Sequence, residues 1–254
     1  MKKLTAVIPT LLKDMNVLNQ LIHTLIADES VQEIILINNS DKEYLPFGDK
    51  LRVISLGKNL FVNPSWNLGV KEAKSEYIAL INDDIKIPEN LCSKILEKMD
   101  DNTGILGMDT NFVINTRDKE NNVIIDTTKE SLNLEENAEL KPITFRPPDF
   151  GIMMVFKKEI FVAIPEDLKI FFGDDWMIKF AARKGKTNVV YSGQKIFHCG
   201  SLSSNAFCDW AKQENRIYKK HIIPFWKRLL YFYKTCNHYI FYVLGLNFSV
   251  KKKK

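Results

Sequence analysis

Apolar and polar residues alternate in blocks along the N-terminal part of the chain. Short apolar runs at 4–10, 31–40, 51–57 and 76–82 are rich in strand-forming residues and close with polar or turn residues. Between the first two runs, apolar residues recur at helical spacing: Val17, Leu18, Leu21, Ile22, Leu25 and Ile26. A further helix is predicted to open near Pro64. This pattern predicts an α/β fold with a mainly parallel central sheet flanked by helices.

Length and composition indicate a globular protein, and the charge bears on its partners. The chain has 254 residues, of which 45% are hydrophobic and 26% charged, enough for one large domain or a domain with an appendage. The formal net charge of +5 arises from lysines near the two ends of the sequence. The body is therefore close to neutral, which argues against a nucleic-acid partner.

The cysteines and the N-terminus suggest a compartment. Cys92, Cys199, Cys208 and Cys236 form no C-x-x-C pair, so we expect neither a disulfide framework nor a structural zinc site. The apolar run after Met1 is too short for a signal peptide. We expect a cytoplasmic location.

Polar residues stand where the predicted strands end. In a parallel sheet, ligands bind beyond the carboxyl ends of the strands, so these residues are expected to line one crevice: Thr10, Asn38, Asn39, Asn82, Asp83 and Asp84. Adjacent carboxylates repel unless a cation or donor shares the site, which suggests a divalent metal. The alternative is a solvated turn in which an aspartate caps the next helix.

Four motifs, in order, resemble those of the family 2 glycosyltransferases with the GT-A fold. They are "TAVIPT", "EIILINNS", the stretch from "GKNLFVNPSWNLGV" to "INDDIKIP", and "FFGDDWMIKFAARKGKTNVVYSGQKIFHCGS". The resemblance covers roughly residues 4–204. It implies a nucleotide-sugar donor, with UDP as the expected nucleotide, a Mn²⁺ or Mg²⁺ cofactor, and inversion at the anomeric carbon.

The resemblance also assigns roles at the "NDD" motif. Asn82, Asp83 and Asp84 stand where the family has Asp-x-Asp, and Asp84 occupies the position of the usual metal ligand. Asn82 replaces the first aspartate of the motif. Asp83 is expected to face either the ribose or the water shell of the metal.

Other residues are expected beside the donor. Pro9 and Thr10 end the first motif, and Asn38 or Asn39 could pair with a uracil ring, because an amide offers both a donor and an acceptor. Asn59 and Asn67 fall where the family places asparagines near the donor. The alternatives are a plain turn asparagine at 38–39 and a helix-end packing residue at Asn67.

The last motif supplies a candidate base and a candidate histidine. In the family the second acid of the Asp174–Asp175 pair is the general base, although either acid could also cap the following helix. His198 stands where the family often has a histidine that completes metal or diphosphate binding. The alternative for His198 is a structural role in a Gly- and Ser-rich turn.

The segment between these motifs is less regular. From about residue 108 to 150 periodicity weakens, and we expect acceptor-side loops, with a hairpin around "RDKEN". We therefore divide the domain into a nucleotide-sugar-binding half, 1–107, and an acceptor-binding and catalytic half, 108–204.

The motifs together predict a metal-dependent, inverting glycosyltransferase of the hexosyltransferase type. A catalytically idle nucleotide-sugar-binding membrane adaptor on the same fold is one alternative. A sugar-nucleotide pyrophosphorylase is another, but it needs a Gly-rich, Arg-containing loop after the first strand, where this chain has "PTLLKDMN".

The region 205–254 is expected to be a basic, amphipathic helical appendage. A helix from Pro224 would place apolar residues on one face and basic residues on the other: Phe225, Trp226, Leu229, Leu230, Phe232, Tyr233, Cys236 and Ile240 against Lys227, Arg228, Lys234 and His238. Such a helix could bind an anionic membrane surface through 222–254, or pack on the domain. In the first case the acceptor would be a cell-surface glycan or lipid-linked oligosaccharide at the inner face of the membrane.

Overall fold

The computed structural model describes residues 2–118, 120, 122–127, 130–200, 208–223, 230–234, 238–243 and 246–252. Fourteen strands are assigned in these residues: β1 Leu4–Thr10, β2 Val31–Asn38, β3 Leu51–Ser55, β4 Tyr77–Ile81, β5 Ile85–Lys86, β6 Thr103–Met108, β7 Val113–Asn115, β8 Glu139–Pro142, β9 Met153–Lys157, β10 Thr187–Ser192, β11 Ile196–His198, β12 Leu230–Lys234, β13 His238–Val243 and β14 Leu246–Lys251. The α-helices are α1 Met15–Ala27, α2 Val62–Glu72, α3 Leu91–Lys98, α4 Gly173–Arg183 and α5 Cys208–Ile222.

Eight strands form the central sheet, in the order β3-β2-β1-β4-β9-β6-β10-β8. The first four are parallel to one another, and β6 is parallel to β10. The strand β9 runs antiparallel to β4 and β6, and β8 is antiparallel to β10. The predicted mainly parallel α/β architecture is confirmed.

Helices cover both faces of this sheet because its strands are apolar on both sides. Along β1, Ala6 and Ile8 join a core with α1 and α3, whereas Val7 faces a second core with α2 and α4. The α2 helix crosses the sheet closely at Gly69, where an added Cβ would lie 2.1 Å from Val7 Cγ1. Both cores bury the apolar positions that define the helical and strand periods in the sequence.

A small second sheet, β5-β11-β7, lies beside the carboxyl end of β4. It places His198 in a strand, rather than in the turn expected from the sequence, opposite Ile85 and Asn115. The expected hairpin is reduced to a bridge between Arg117 and Val123, because β7 pairs with β11 instead.

The helix predicted to begin at Pro224 is wrong in the part of it that the structure describes. The strands β12, β13 and β14 form an antiparallel meander there, and the only helix described between 205 and 254 is α5. Tyr, Phe, Ile and Val dominate this stretch, and such residues favour strands once antiparallel partners are within reach. Six residues of the predicted faces lie outside the described residues: Phe225, Trp226, Lys227, Arg228, Leu229 and Cys236.

The boundary at residue 204 lies outside the described residues. Across the ranges that the structure describes, no helix has both the length and the apolar character needed to cross a bilayer.

Candidate active site

A cavity of about 550 Å³ opens at the carboxyl ends of β1 and β4. It brings together all of the predicted site residues except Asn38 and Asn67: Pro9, Thr10, Asn39, Asn59, Asn82, Asp83, Asp84, Asp174, Asp175 and His198. The carboxyl-end placement follows from the parallel strands, and α4 contributes the second acidic pair from its first turn.

Asn38 and Asn67 instead use their side chains to hold the backbone. Asn38 Oδ1 accepts hydrogen bonds from Ser40 N at 2.9 Å and Ser40 Oγ at 2.8 Å, while its Nδ2 donates to the Lys42 carbonyl at 2.7 Å. Asn67 pairs with both backbone groups of Ile164, at 2.8 and 2.9 Å. The structure brings neither residue to the cavity wall.

Asn39 and Asn59 line the cavity and shape the loop before α2. Asn39 Nδ2 donates to Ser65 Oγ at 3.0 Å, and its Oδ1 accepts from Leu60 N at 3.0 Å. Asn59 Oδ1 accepts from Phe61 N at 2.7 Å. Phe61 has φ 66° and ψ −171°, a strained backbone conformation for a residue with a side chain, so this loop is held in place by its polar contacts.

Asp83 is bonded to the end of β1. Its Oδ2 accepts a hydrogen bond from Thr10 Oγ at 2.6 Å, and Thr10 Oγ in turn accepts from Leu12 N. Burial, reinforced by the charge of Asp84, raises the pKa of Asp83 to about 6. Because Thr10 donates to Oδ2, one oxygen of the Asp83 carboxylate is already hydrogen-bonded to another residue of the chain.

Asp84 and His198 are neighbouring side chains in the lining of the cavity. His198 Nε2 lies 3.5 Å from Asp84 Oδ2, which is too long for a good hydrogen bond, and His198 Nδ1 lies 3.2 Å from Asn115 Oδ1. Burial by itself lowers the pKa of His198, but the Asp84 carboxylate opposes this and raises it overall. A neutral ring that donates from Nδ1 to Asn115 would present an Nε2 lone pair beside Asp84.

These two side chains fit a divalent cation. Asp84 Oδ1 and His198 Nε2 are both buried without a hydrogen-bond partner, which is costly unless a ligand is provided. Among the residues that the structure describes, no group of three or more His, Cys, Asp or Glu could hold a metal unaided. Such a donor set suits a cation that takes its remaining ligands from water and a diphosphate, as Mg²⁺ does in many enzymes.

The second acidic pair is held by an arginine. Arg146 Nη1 lies 3.2 Å from Asp174 Oδ2, and Arg146 Nε lies 3.1 Å from Asp175 Oδ2. Burial, followed by the charge of Asp174, raises the pKa of Asp175 to about 6, and Arg146 acts in the opposite direction. Asp174 Oδ1 also accepts from Asp175 N at 2.9 Å. The capping alternative is wrong, because both acids lie within the first turn of α4, its N-cap residue is Phe172, and no described side chain makes the capping hydrogen bond.

Sequence reasoning missed Arg146. It lies in the irregular segment before β9, where no periodicity links it to Asp174, 28 positions further along. Lys13, Asp14 and Asp149 also line the cavity without having been predicted. The only local signal was a charged residue beside two prolines in "FRPPDF", which is typical of many surface loops.

Comparisons with known proteins show the family and the fold of this chain. The family model described as glycosyl transferase family 2 matches residues 5–185. A search of curated proteins found no match.

Solved structures of glycosyltransferases share the fold. The chain is similar to S. aureus TarS 1–349, with a TM-score of 0.55 and 14% identity over 78% of this chain and 60% of that one. It is similar to the same fragment in complex with UDP, with a TM-score of 0.54, 15% identity, and coverage of 78% and 61%. It is also similar to GalNAc-T7 solved with UDP, GalNAc and Mn²⁺, with a TM-score of 0.56, 14% identity, and coverage of 79% and 44%. At such low identity these likenesses establish the GT-A fold alone, and the chain spans about 60% of the TarS fragment.

Proposed function

Because the chain belongs to glycosyl transferase family 2, we propose that it transfers a sugar from a nucleotide-sugar donor to a hydroxyl group of a glycan or lipid-linked acceptor. One observation carries this proposal: two acidic pairs, Asp83–Asp84 and Asp174–Asp175, line the same cavity. UDP is the proposed nucleotide, supported by its presence in the TarS and GalNAc-T7 structures.

Asp175 is the proposed general base. Its carboxylate would accept the proton of the acceptor hydroxyl as that oxygen attacks the anomeric carbon, opposite the departing nucleoside diphosphate. A pKa of about 6 leaves the group mostly deprotonated at neutral pH yet still basic enough to take a proton. Such assistance typically contributes about 10²- to 10⁴-fold to the rate. Inversion of configuration is the outcome expected of the family.

Asp84 and His198 are the proposed ligands of Mn²⁺ or Mg²⁺. When bound, the cation offsets the negative charge that develops on the leaving diphosphate. The protein residues proposed for the donor end of the cavity are Pro9, Thr10, Asn39, Asn59, Asn82 and Asp83. The Thr10–Asp83 hydrogen bond fixes the edge of the sheet on which the donor would lie.

The deciding experiment is a screen of the full chain against UDP-, GDP- and dTDP-sugars with Mn²⁺, following slow release of the nucleoside diphosphate. We expect hydrolysis of a UDP-sugar that stops when the metal is chelated. Calorimetric binding of UDP with no release from any donor would contradict the enzyme and favour the idle adaptor.

The acceptor is proposed to be a cell-surface glycan or a lipid-linked oligosaccharide, met at the cytoplasmic face of an anionic membrane. With the predicted amphipathic helix absent from the described residues, the membrane proposal rests on β14. Phe248 and Val250 lie two positions apart in this strand and therefore share one of its faces, where they are 51% and 54% exposed. The exposed Lys251 follows them. Exchanging both apolar residues for serine should weaken flotation with phosphatidylglycerol vesicles, whereas Ser249→Ala should not. Equal flotation of the two variants would remove the membrane proposal.

A further inference from the structure

The helix α5 lies beyond the residues that the family model matches, yet one of its faces packs against the cavity wall. We call this face the inner face of α5. Its residues are spaced by four, four and three positions: Trp210, Glu214, Tyr218 and His221. The Trp210 ring lies 5.3 Å from that of Phe61, and the Tyr218 ring is stacked 5.3 Å from that of Phe172. Both partners line the cavity, and each precedes a helix, α2 or α4, with φ near 65°.

Glu214 is the polar centre of this face. It is 3% exposed, and its carboxylate accepts hydrogen bonds from three successive backbone amides: Lys169 N at 3.0 Å, Ile170 N at 3.2 Å and Phe171 N at 2.8 Å. A buried carboxylate with three N–H donors makes charge-assisted hydrogen bonds, which are about twice as strong as neutral ones. The segment 169–171 is therefore fastened firmly to α5.

The carbonyl groups of the same segment are fastened to α2. Asn63 N donates to Lys169 O at 2.9 Å, and Asn63 Nδ2 donates to Phe171 O at 3.0 Å. Ile170, Phe171 and Phe172 form part of the cavity wall as they pass between the two helices. After Phe172 the chain enters α4, whose first turn carries the acidic pair.

We propose that Glu214 is a positioning residue for the transfer reaction, which holds segment 169–172 so that Asp175 and the adjoining aromatic wall meet the acceptor. The inference rests on the proposed function. Its physical basis is that Asp175 lies only four residues beyond Phe171, so a shift of the anchored segment is transmitted to the base. Displacements of about 1 Å can lower a rate by about 10²-fold.

Glu214→Gln tests this with little change of volume. The amide keeps one acceptor oxygen but turns an NH₂ group toward a backbone N–H, so at least one of the three bonds is lost. The matched control is Glu33→Gln, which removes another largely buried carboxylate, bonded to Arg52 near the amino end of β2, at the edge of the sheet opposite the cavity. Both variants are expected to melt at lower temperature than the wild type.

The two variants should differ in catalysis. With the UDP-sugar identified by the screen, and below both melting transitions, Glu214→Gln should lower kcat for donor hydrolysis by about 10- to 100-fold. Calorimetric affinity for UDP should stay within about threefold, because the donor end lies on β1 and β4. Glu33→Gln should leave kcat near the wild-type value. Amide hydrogen exchange of residues 169–171 should rise only in the Glu214 variant.

Three results would overturn the inference. A kcat of Glu214→Gln within about threefold of the wild-type value would leave Glu214 with a structural role only. A loss of kcat in Glu33→Gln as large as that in Glu214→Gln would lead to the same conclusion. A wild-type chain that hydrolyses no nucleotide sugar would remove the proposed function and this inference with it. The wild-type measurement therefore separates failure of the function from failure of the positioning role.

Discussion

Removal of the Arg146 charge should shift the pH dependence of the reaction toward alkaline pH. Arg146 contacts both acids of the pair at 3.1 to 3.2 Å, and its guanidinium opposes the burial that raises the pKa of Asp175 to about 6. Arg146→Gln keeps a polar side chain but loses the charge. Without it, the protonated form of Asp175 is favoured, so the base is lost at a higher pH than in the wild type.

The size of the shift follows from the geometry. An arginine in contact typically lowers the pKa of an aspartate by about 1 to 3 units. The side chains of Arg146 and Asp175 are 34% and 29% exposed, so solvent screens the pair. We therefore expect a change in the pKa of Asp175 at the lower end of that range, about one unit. A pKa moved from about 6 to about 7 reduces the deprotonated fraction at pH 6 from about one half to about one tenth. Turnover should fall roughly fivefold at pH 6 and change little at pH 8 through this effect.

The assay is kcat/KM for release of UDP from the donor between pH 5 and 9, for wild type, Arg146→Gln and a control. Arg183→Gln serves as the control, because it removes the same charge from the last turn of α4, far from the acidic pair. We expect the acid limb to move by about one unit only in the Arg146 variant. An acid limb that stays in place, or moves to lower pH, would refute the assignment of Asp175 as the titrating base.

Three other variants test the site and the fold. Asp84→Asn should weaken Mn²⁺-dependent UDP binding and turnover together, since a ligand charge is lost from a hard-cation site; calorimetry with unchanged affinity would argue against this ligand. Asp175→Asn should keep UDP affinity within a few-fold while turnover falls by about 10² or more, and near-normal turnover would make Asp174 the next candidate. Gly69→Ala should lower the free energy of unfolding by about 1 to 3 kcal/mol through the clash with Val7, and Val7→Ala should recover part of that loss in the double variant, as measured by urea denaturation.

The sequence by itself determined the sheet and the position of its chemistry. Strand and helix periods are local properties, so the apolar runs of β1, β2 and β4 and the α1 stripe were readable from neighbouring residues. The carboxyl-end rule then places Thr10 and Asp84 at one edge. The same local rules also put Asp174 and Asp175 at the start of a helix, next to a glycine.

Only the tertiary structure decided which polar groups share the cavity and how they are held. Asn38 and Asn39 are adjacent, yet the side chain of Asn38 closes a local turn by bonding to Lys42, whereas Asn39 lines the cavity wall and bonds to Ser65, 26 positions further along. Glu214 bonds to Phe171 across 43 residues, and Arg146 reaches α4 from an irregular segment, so no local period records either contact. The helix predicted for the C-terminal region was wrong for the same reason. An aromatic-rich stretch fits a helical and a strand pattern alike, and pairing between backbone groups of different strands decides that strands form.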